Sequence, residues 1–150
     1  MLFRSRPDLL AAEALTDKPL LWLDCGQIET KRLGRIASTN RDARVVVVKQ
    51  TGREAELYAE AAKRELPVLG VGAARFVATL GFDDGFIASL VSALRGANTF
   101  CLSPVTPGDD TVTLTMNDAA LTTALHPFDH DAKPLSVAAF WAAVTISPVE

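Results

Sequence analysis

Long apolar runs, cysteine, histidine, aromatic residues and an excess of either charge are all scarce in this 150-residue chain. Each scarcity excludes something. The longest unbroken apolar runs, 45–48 and 137–144, fall far short of the roughly 20 residues that span a bilayer. Met1-Leu2-Phe3-Arg4-Ser5-Arg6 has too little apolar length for a secretory signal, and Asp8 and Glu13 interrupt the residues after it. A cytoplasmic setting with no membrane partner is therefore expected. Two cysteines cannot build a disulfide framework, so Cys25 and Cys101, each ending an apolar run, are read as reduced thiols. With 15 Lys+Arg against 18 Asp+Glu, the net charge of −3 argues against nucleic-acid binding, which needs clustered cations to neutralise phosphates. The chain also lacks internal repeats, low-complexity tracts and linkers.

What it has in quantity is apolar side chain, 49% of residues, enough to bury a core and to exclude a disordered chain. The length suits a single domain over 1–150. Residues 7–16 place Leu9, Leu10, Ala12 and Leu15 at helical spacing, and Pro19 ends that segment. Leu20-Leu21-Trp22-Leu23, stopped by Asp24-Cys25-Gly26, reads as a buried strand. Residues 27–37 read as a helix. Val45-Val46-Val47-Val48 is the clearest strand, because four β-branched residues resist helix and leave no polar face. A helix over 53–64, capped by Thr51 or Gly52, follows it. The pattern then predicts a strand over 66–71, a helical stretch from 72 to about 80, and a helix over 86–95. A short strand over 99–102 and an alternating strand over 111–116 come next, the latter at an edge and open to antiparallel pairing. Residues 126–131 read as a polar loop, and 135–146 as an apolar helix or strand. This alternation predicts an α/β fold, Rossmann-like or flavodoxin-like: three layers, a mostly parallel sheet of about five strands, helices on both faces.

In such sheets ligands sit beyond the carboxyl ends of the strands. That rule puts Asp24-Cys25-Gly26, Lys49-Gln50-Thr51, Gly70-Val71-Gly72 and Cys101-Leu102-Ser103 on one rim. Asp24 and Gly26 form a strand-to-helix turn able to hold an anion through its amides, or simply to cap the helix. Gly70 and Gly72, with Arg75 close behind, resemble a shortened phosphate turn; the plainer reading is close strand–helix packing. Cys25 acting as a nucleophile would need a base, and His126 is the partner the sequence offers. His126 and His130, four apart beside Asp129 and Asp131, have the composition of a metal site, although Pro127 favours a solvated loop. Phe140 and Trp141 lie in the apolar C-terminal segment, which either docks on its own sheet or buries a homodimer interface.

Pro67-Val68-Leu69-Gly70-Val71-Gly72-Ala73-Ala74-Arg75-Phe76, continuing to Leu80-Gly81, resembles the nucleophile-elbow segment of class I glutamine amidotransferases, roughly P-V-L-G-[IV]-C-x-G-x-Q. Leu23-Asp24-Cys25-Gly26-Gln27 is similar to that family's opening strand and turn, and His126-Pro127 to its terminal H-P-E. The departures fall on the chemistry. Gly72 stands where the family has its cysteine, Ala74 where it has glycine, Phe76 where it has glutamine, and Phe128 where it has the triad glutamate. The resemblance thus implies a relative of that fold without amidotransferase activity. The expected function is a non-catalytic domain binding a small ligand or a protein partner, with no cofactor. The alternatives are a hydrolase or transferase using Cys25 and His126, and an assembly subunit acting through Phe140 and Trp141.

Overall fold

A computed structural model describes residues 6–72, 76–103 and 110–145. Seven strands form one sheet: β1 Leu9–Ala12, β2 Pro19–Cys25, β3 Arg44–Val48, β4 Val77–Phe82, β5 Phe100–Leu102, β6 Thr111–Met116 and β7 Ala119–Phe128. The helices are α1 Thr30–Thr39, α2 Gly52–Glu65, α3 Phe86–Ala93 and α4 Val137–Val144. The strand order is β1-β2-β3-β4-β7-β6-β5. Only β2–β3 and β3–β4 pair in parallel, through the crossovers that carry α1 and α2. The remaining pairings are antiparallel. The expected three-layer, mostly parallel, Rossmann-like sheet is therefore overturned: this is a mixed sheet strongly curled into a half-barrel.

The valine strand shows how the core is partitioned. Successive strand residues point to opposite faces. Val45 and Val47 accordingly pack with Leu33 and Ile36 of α1 and Ala62 of α2, while Val46 packs with Leu125 and with Phe140 of α4. Phe140 is buried, and Trp141 packs against the same cluster, so both dock on their own chain. α2 presents the small residues Ala55 and Ala59 to the sheet, which lets the helix lie close enough for Thr79 Oγ1 to donate to the Ala55 carbonyl at 3.1 Å. The closest approach is at Gly81, where an added Cβ would stand 2.2 Å from the Thr51 carbonyl oxygen.

Three segments depart from the sequence reading. The helix expected over 7–16 is β1, antiparallel to β2. Leu9 and Leu10 remain 55% and 46% exposed, so nothing packs on their helical face and edge pairing decides the conformation. The strand expected over 66–71 is the turned end of α2, where Leu69 N–H reaches back to Glu65 and Leu66, and Gly70 takes φ 82°. The helical stretch expected near 72–80 contains β4 instead, a strand buried on both faces whose small residues mimic helix composition. With β4 restored, and β7 running through His126 where a loop was expected, the sheet has seven strands rather than about five. The 111–116 strand is antiparallel but interior, because β5 takes the edge.

Candidate functional site

The carboxyl ends of the three parallel strands, at Cys25, Val48 and Phe82, open into a cleft of ≈ 720 Å³. Volumes of this order suit a small ligand. Its apolar wall comes from Val48, Leu57, Phe82 and Ile87, the last contributed by α3; its polar groups include Lys49, Gln50 and Glu54. Local sequence fixes these groups. Thr51 caps α2 by accepting a hydrogen bond from Glu54 N–H at 3.1 Å, and the Glu54 carboxylate reaches back to Gln50 N–H at 3.2 Å. This reciprocal bonding holds the first turn of the helix against the end of β3.

Lys49 is the lysine at the centre of this arrangement. Its Nζ donates to the Gly26 carbonyl at 2.5 Å and sits 4.5 Å from the centre of the Tyr58 ring. Burial pulls its pKa below the usual lysine value, with the Glu54 charge acting the other way. The Tyr58 hydroxyl is buried without a partner among the described residues. Burial first, then the nearby Asp24 and Glu65 charges, pushes its ionisation far up, so the phenol stays neutral.

The expected site residues separate into three places. Cys25 and Gly26 line the cleft, with Gly26 at φ 82° turning the chain off β2. Asp24 points away into the interior, buried, and accepts the Trp22 indole N–H at 3.0 Å. The Cys25 backbone N–H donates to Asp8 at 2.7 Å. Burial, followed by the Asp8 and Asp24 charges, raises the Cys25 thiol pKa, the reverse of what a nucleophile needs. Strand order also parts Cys25 from His126: β3 and β4 lie between β2 and β7, a separation of about 14 Å at normal strand spacing.

His126 has a different partner. Its Nε2 donates to Asp83 Oδ1 at 2.7 Å, while Asp83 Oδ2 accepts Ala124 N–H at 2.9 Å. The Asp83 N–H in turn donates to Thr123 Oγ1 at 2.9 Å. The Ala124 amide first, then His126, holds the Asp83 carboxyl below the usual carboxylate range. This cluster ties the end of β4 to β7.

Gly70, Gly72 and His130 form a third group, around a hollow of ≈ 510 Å³ beside the last turn of α2. The 14-residue helix, about 21 Å long, therefore separates Gly70 and Gly72 from the Glu54 end where the cleft lies. His130 lines this hollow, whereas His126 lies with Asp83 in another at the end of β4, so the two histidines do not share a site. No group of three or more His, Cys, Asp or Glu able to hold a metal occurs among the described residues. Arg75 lies outside them. Among them, too, no helix is long and apolar enough to cross a membrane.

Of the four turns put on the rim, Asp24-Cys25-Gly26 contributes Cys25 and Gly26 to the cleft and Lys49-Gln50-Thr51 contributes Lys49 and Gln50, while the other two turns lie elsewhere. Gly70-Val71-Gly72 precedes β4 instead of following a strand, and Cys101 lies on the antiparallel edge strand. Asp83, Phe82 and Tyr58 were missed. The signal for the first two was Asp83 directly behind the apolar stretch Val77-Ala78-Thr79-Leu80-Gly81-Phe82.

Comparison with family models and with curated proteins finds no match. Solved structures do match. The fold is similar to that of YaeQ proteins. Against the YaeQ protein of Xanthomonas axonopodis pv. citri the TM-score is 0.58 at 20% identity, over 82% of this chain and 62% of that one. For the YaeQ protein of Pseudomonas syringae the values are 0.56 and 16%, over 79% and 59%. The chain therefore spans about three-fifths of the length of these YaeQ structures, and the likeness is one of fold. The expected amidotransferase relationship is overturned: the structural neighbours are YaeQ proteins, and the turned end of α2, not a strand, leads into Gly72.

Proposed function

We propose that this chain is a non-catalytic binding module that holds a small amphipathic ligand in the cleft over β2, β3 and β4. One observation carries the reading. A ≈ 720 Å³ cleft with an apolar wall and a few fixed polar groups lies at the carboxyl ends of adjacent parallel strands, where the crossover helices leave room for a ligand. Leu57, Phe82 and Ile87 suit a flat apolar body, and Lys49, Gln50 and Glu54 suit its polar end. Two further facts favour binding over turnover. Burial raises the Cys25 thiol pKa, and its expected base His126, two strands away from Cys25, is engaged by Asp83.

The test is a backbone-amide NMR titration with 2-naphthalenemethanol, which has a flat apolar body and one hydroxyl. Saturable shifts at Lys49, Tyr58 and Ile87, abolished in Ile87→Glu, are expected. Shifts confined to the hollow around Gly70, or unchanged in Ile87→Glu, would sink the reading.

A further inference from the structure

Among the five lysines of the chain, Lys49 differs in kind. Lys18, Lys31, Lys63 and Lys133 are exposed, while Lys49 is half-buried and lines the cleft. An exposed lysine samples many rotamers around a fully hydrated charge, which makes it a poor nucleophile at neutral pH. Lys49 is held instead. One N–H is given to the Gly26 carbonyl and the ammonium lies over the Tyr58 ring, which leaves a further donor for a ligand. Neither contact neutralises the charge as a carboxylate salt bridge would. Glu54, the carboxylate lining the same cleft, is itself engaged by Gln50 N–H.

A partly desolvated lysine beside an apolar wall is the arrangement that favours attack on carbonyl carbon. We infer that Lys49 captures a carbonyl ligand, an aldehyde or ketone with a flat apolar body, as a reversible imine. This rests on the binding reading above and names the ligand class for that cleft.

The step balances without a further reactant. The neutral Nζ lone pair attacks the carbonyl carbon, the carbon–oxygen π bond opens, and a proton passes from nitrogen to oxygen to give the carbinolamine. The lone pair is freed when the ammonium gives one proton to the Glu54 carboxylate. After the carbinolamine forms, Glu54 returns that proton to the oxygen, the C–O bond breaks, water leaves, and the nitrogen lone pair closes the C=N bond of a protonated imine. Nothing is oxidised or reduced. Glu54 is the cleft carboxylate available to relay the protons, and its charge already acts on Lys49. The apolar wall limits the water that would reverse the step.

The experiment treats the folded chain with 2-naphthaldehyde and sodium cyanoborohydride at neutral pH, followed by peptide mass mapping. Hydride reduces the imine to a stable secondary amine, leaving one naphthylmethyl group on the modified nitrogen. Several-fold faster labelling of Lys49 than of any other lysine is expected. That preference should vanish in urea, and Ile87→Glu should also remove it. Lys49→Met should leave no preferred label among the remaining lysines. Equal labelling of all five lysines, or preference for an exposed one, overturns the inference. If 2-naphthalenemethanol still shifts the cleft amides in that case, only the imine fails. If it does not, the binding reading fails with it.

Discussion

Replacing Gly81 by alanine tests the packing that shapes the cleft. The new Cβ would lie 2.2 Å from the Thr51 carbonyl oxygen, 2.5 Å from its carbon and 2.7 Å from Gly52 Cα. All three are backbone atoms, so no side chain can swing aside. Ordinary contact begins at 3.4 Å, and reaching it requires β4 and the start of α2 to part by about 1.2 Å, the difference from 2.2 Å. That same oxygen accepts the Ala55 N–H at 3.1 Å, so the intrusion also threatens the first bond of the helix. Overpacking of this kind costs about 1–3 kcal/mol, and loss of the Thr79–Ala55 hydrogen bond adds about 1. Reduced freedom of the unfolded chain returns about 0.5 kcal/mol. The net expectation is a loss of about 1.5–3.5 kcal/mol, or roughly 0.8–1.8 M in urea midpoint for a slope near 2 kcal/mol/M. Gly96→Ala, where nothing lies within 4 Å, serves as the control and should change stability by less than about 0.5 kcal/mol. A Gly81→Ala midpoint within about 0.5 M of wild type would refute the steric argument.

Two other outcomes concern the titrating groups. Asp83 has a folded pKa below its unfolded value of 3.8, so its contribution is complete above that value and is lost as pH falls from 3.8 through the lower folded pKa. Asp83→Asn should therefore flatten the acid limb of the stability–pH curve, measured by urea unfolding at successive pH values; an unchanged slope would contradict the Asp83–Ala124–His126 geometry. Because burial raises the Cys25 thiol pKa, iodoacetamide at neutral pH should alkylate Cys25 more slowly in the folded chain than in urea. Equal or faster labelling when folded would show an activated thiol instead.

How far the sequence could be read depended on whether neighbours in the chain decide the structure. Val45–Val48 resists helix through its own side chains, and Thr51 with Glu54 three residues on is a local start signal; β3 and α2 were both legible. β4 was not. Val77-Ala78-Thr79-Leu80-Gly81-Phe82 is buried on both faces and has no alternation to read, and its glycine is dictated by a distant backbone, that of Thr51. β1 failed for the opposite reason: its leucines suit a helix, and only pairing with β2 makes them extended. The site inherited these errors. Residues behind correctly read strands reached the cleft, whereas Gly70 and Gly72, behind a strand that does not form, went to the other end of α2. The Asp83–His126 pair spans 43 positions and comes from a strand the sequence had hidden.

The join between β4 and β7 gives the sheet two halves of different origin. On one side, crossovers build β2, β3 and β4 around two helices. On the other, β5, β6 and β7 fold back on one another, and only Asn117 and Asp118 separate the last two strands. That hairpin closes from residues adjacent in sequence, while the join must wait for partners tens of residues apart. Four residue pairs make it, Thr79 with Phe128 through Phe82 with Leu125, and Asp83 fastens its end to Thr123, Ala124 and His126. The half-barrel thus joins a ribbon of local pairings to a layered block of distant ones, and Asp83 is the rivet at the end of the seam.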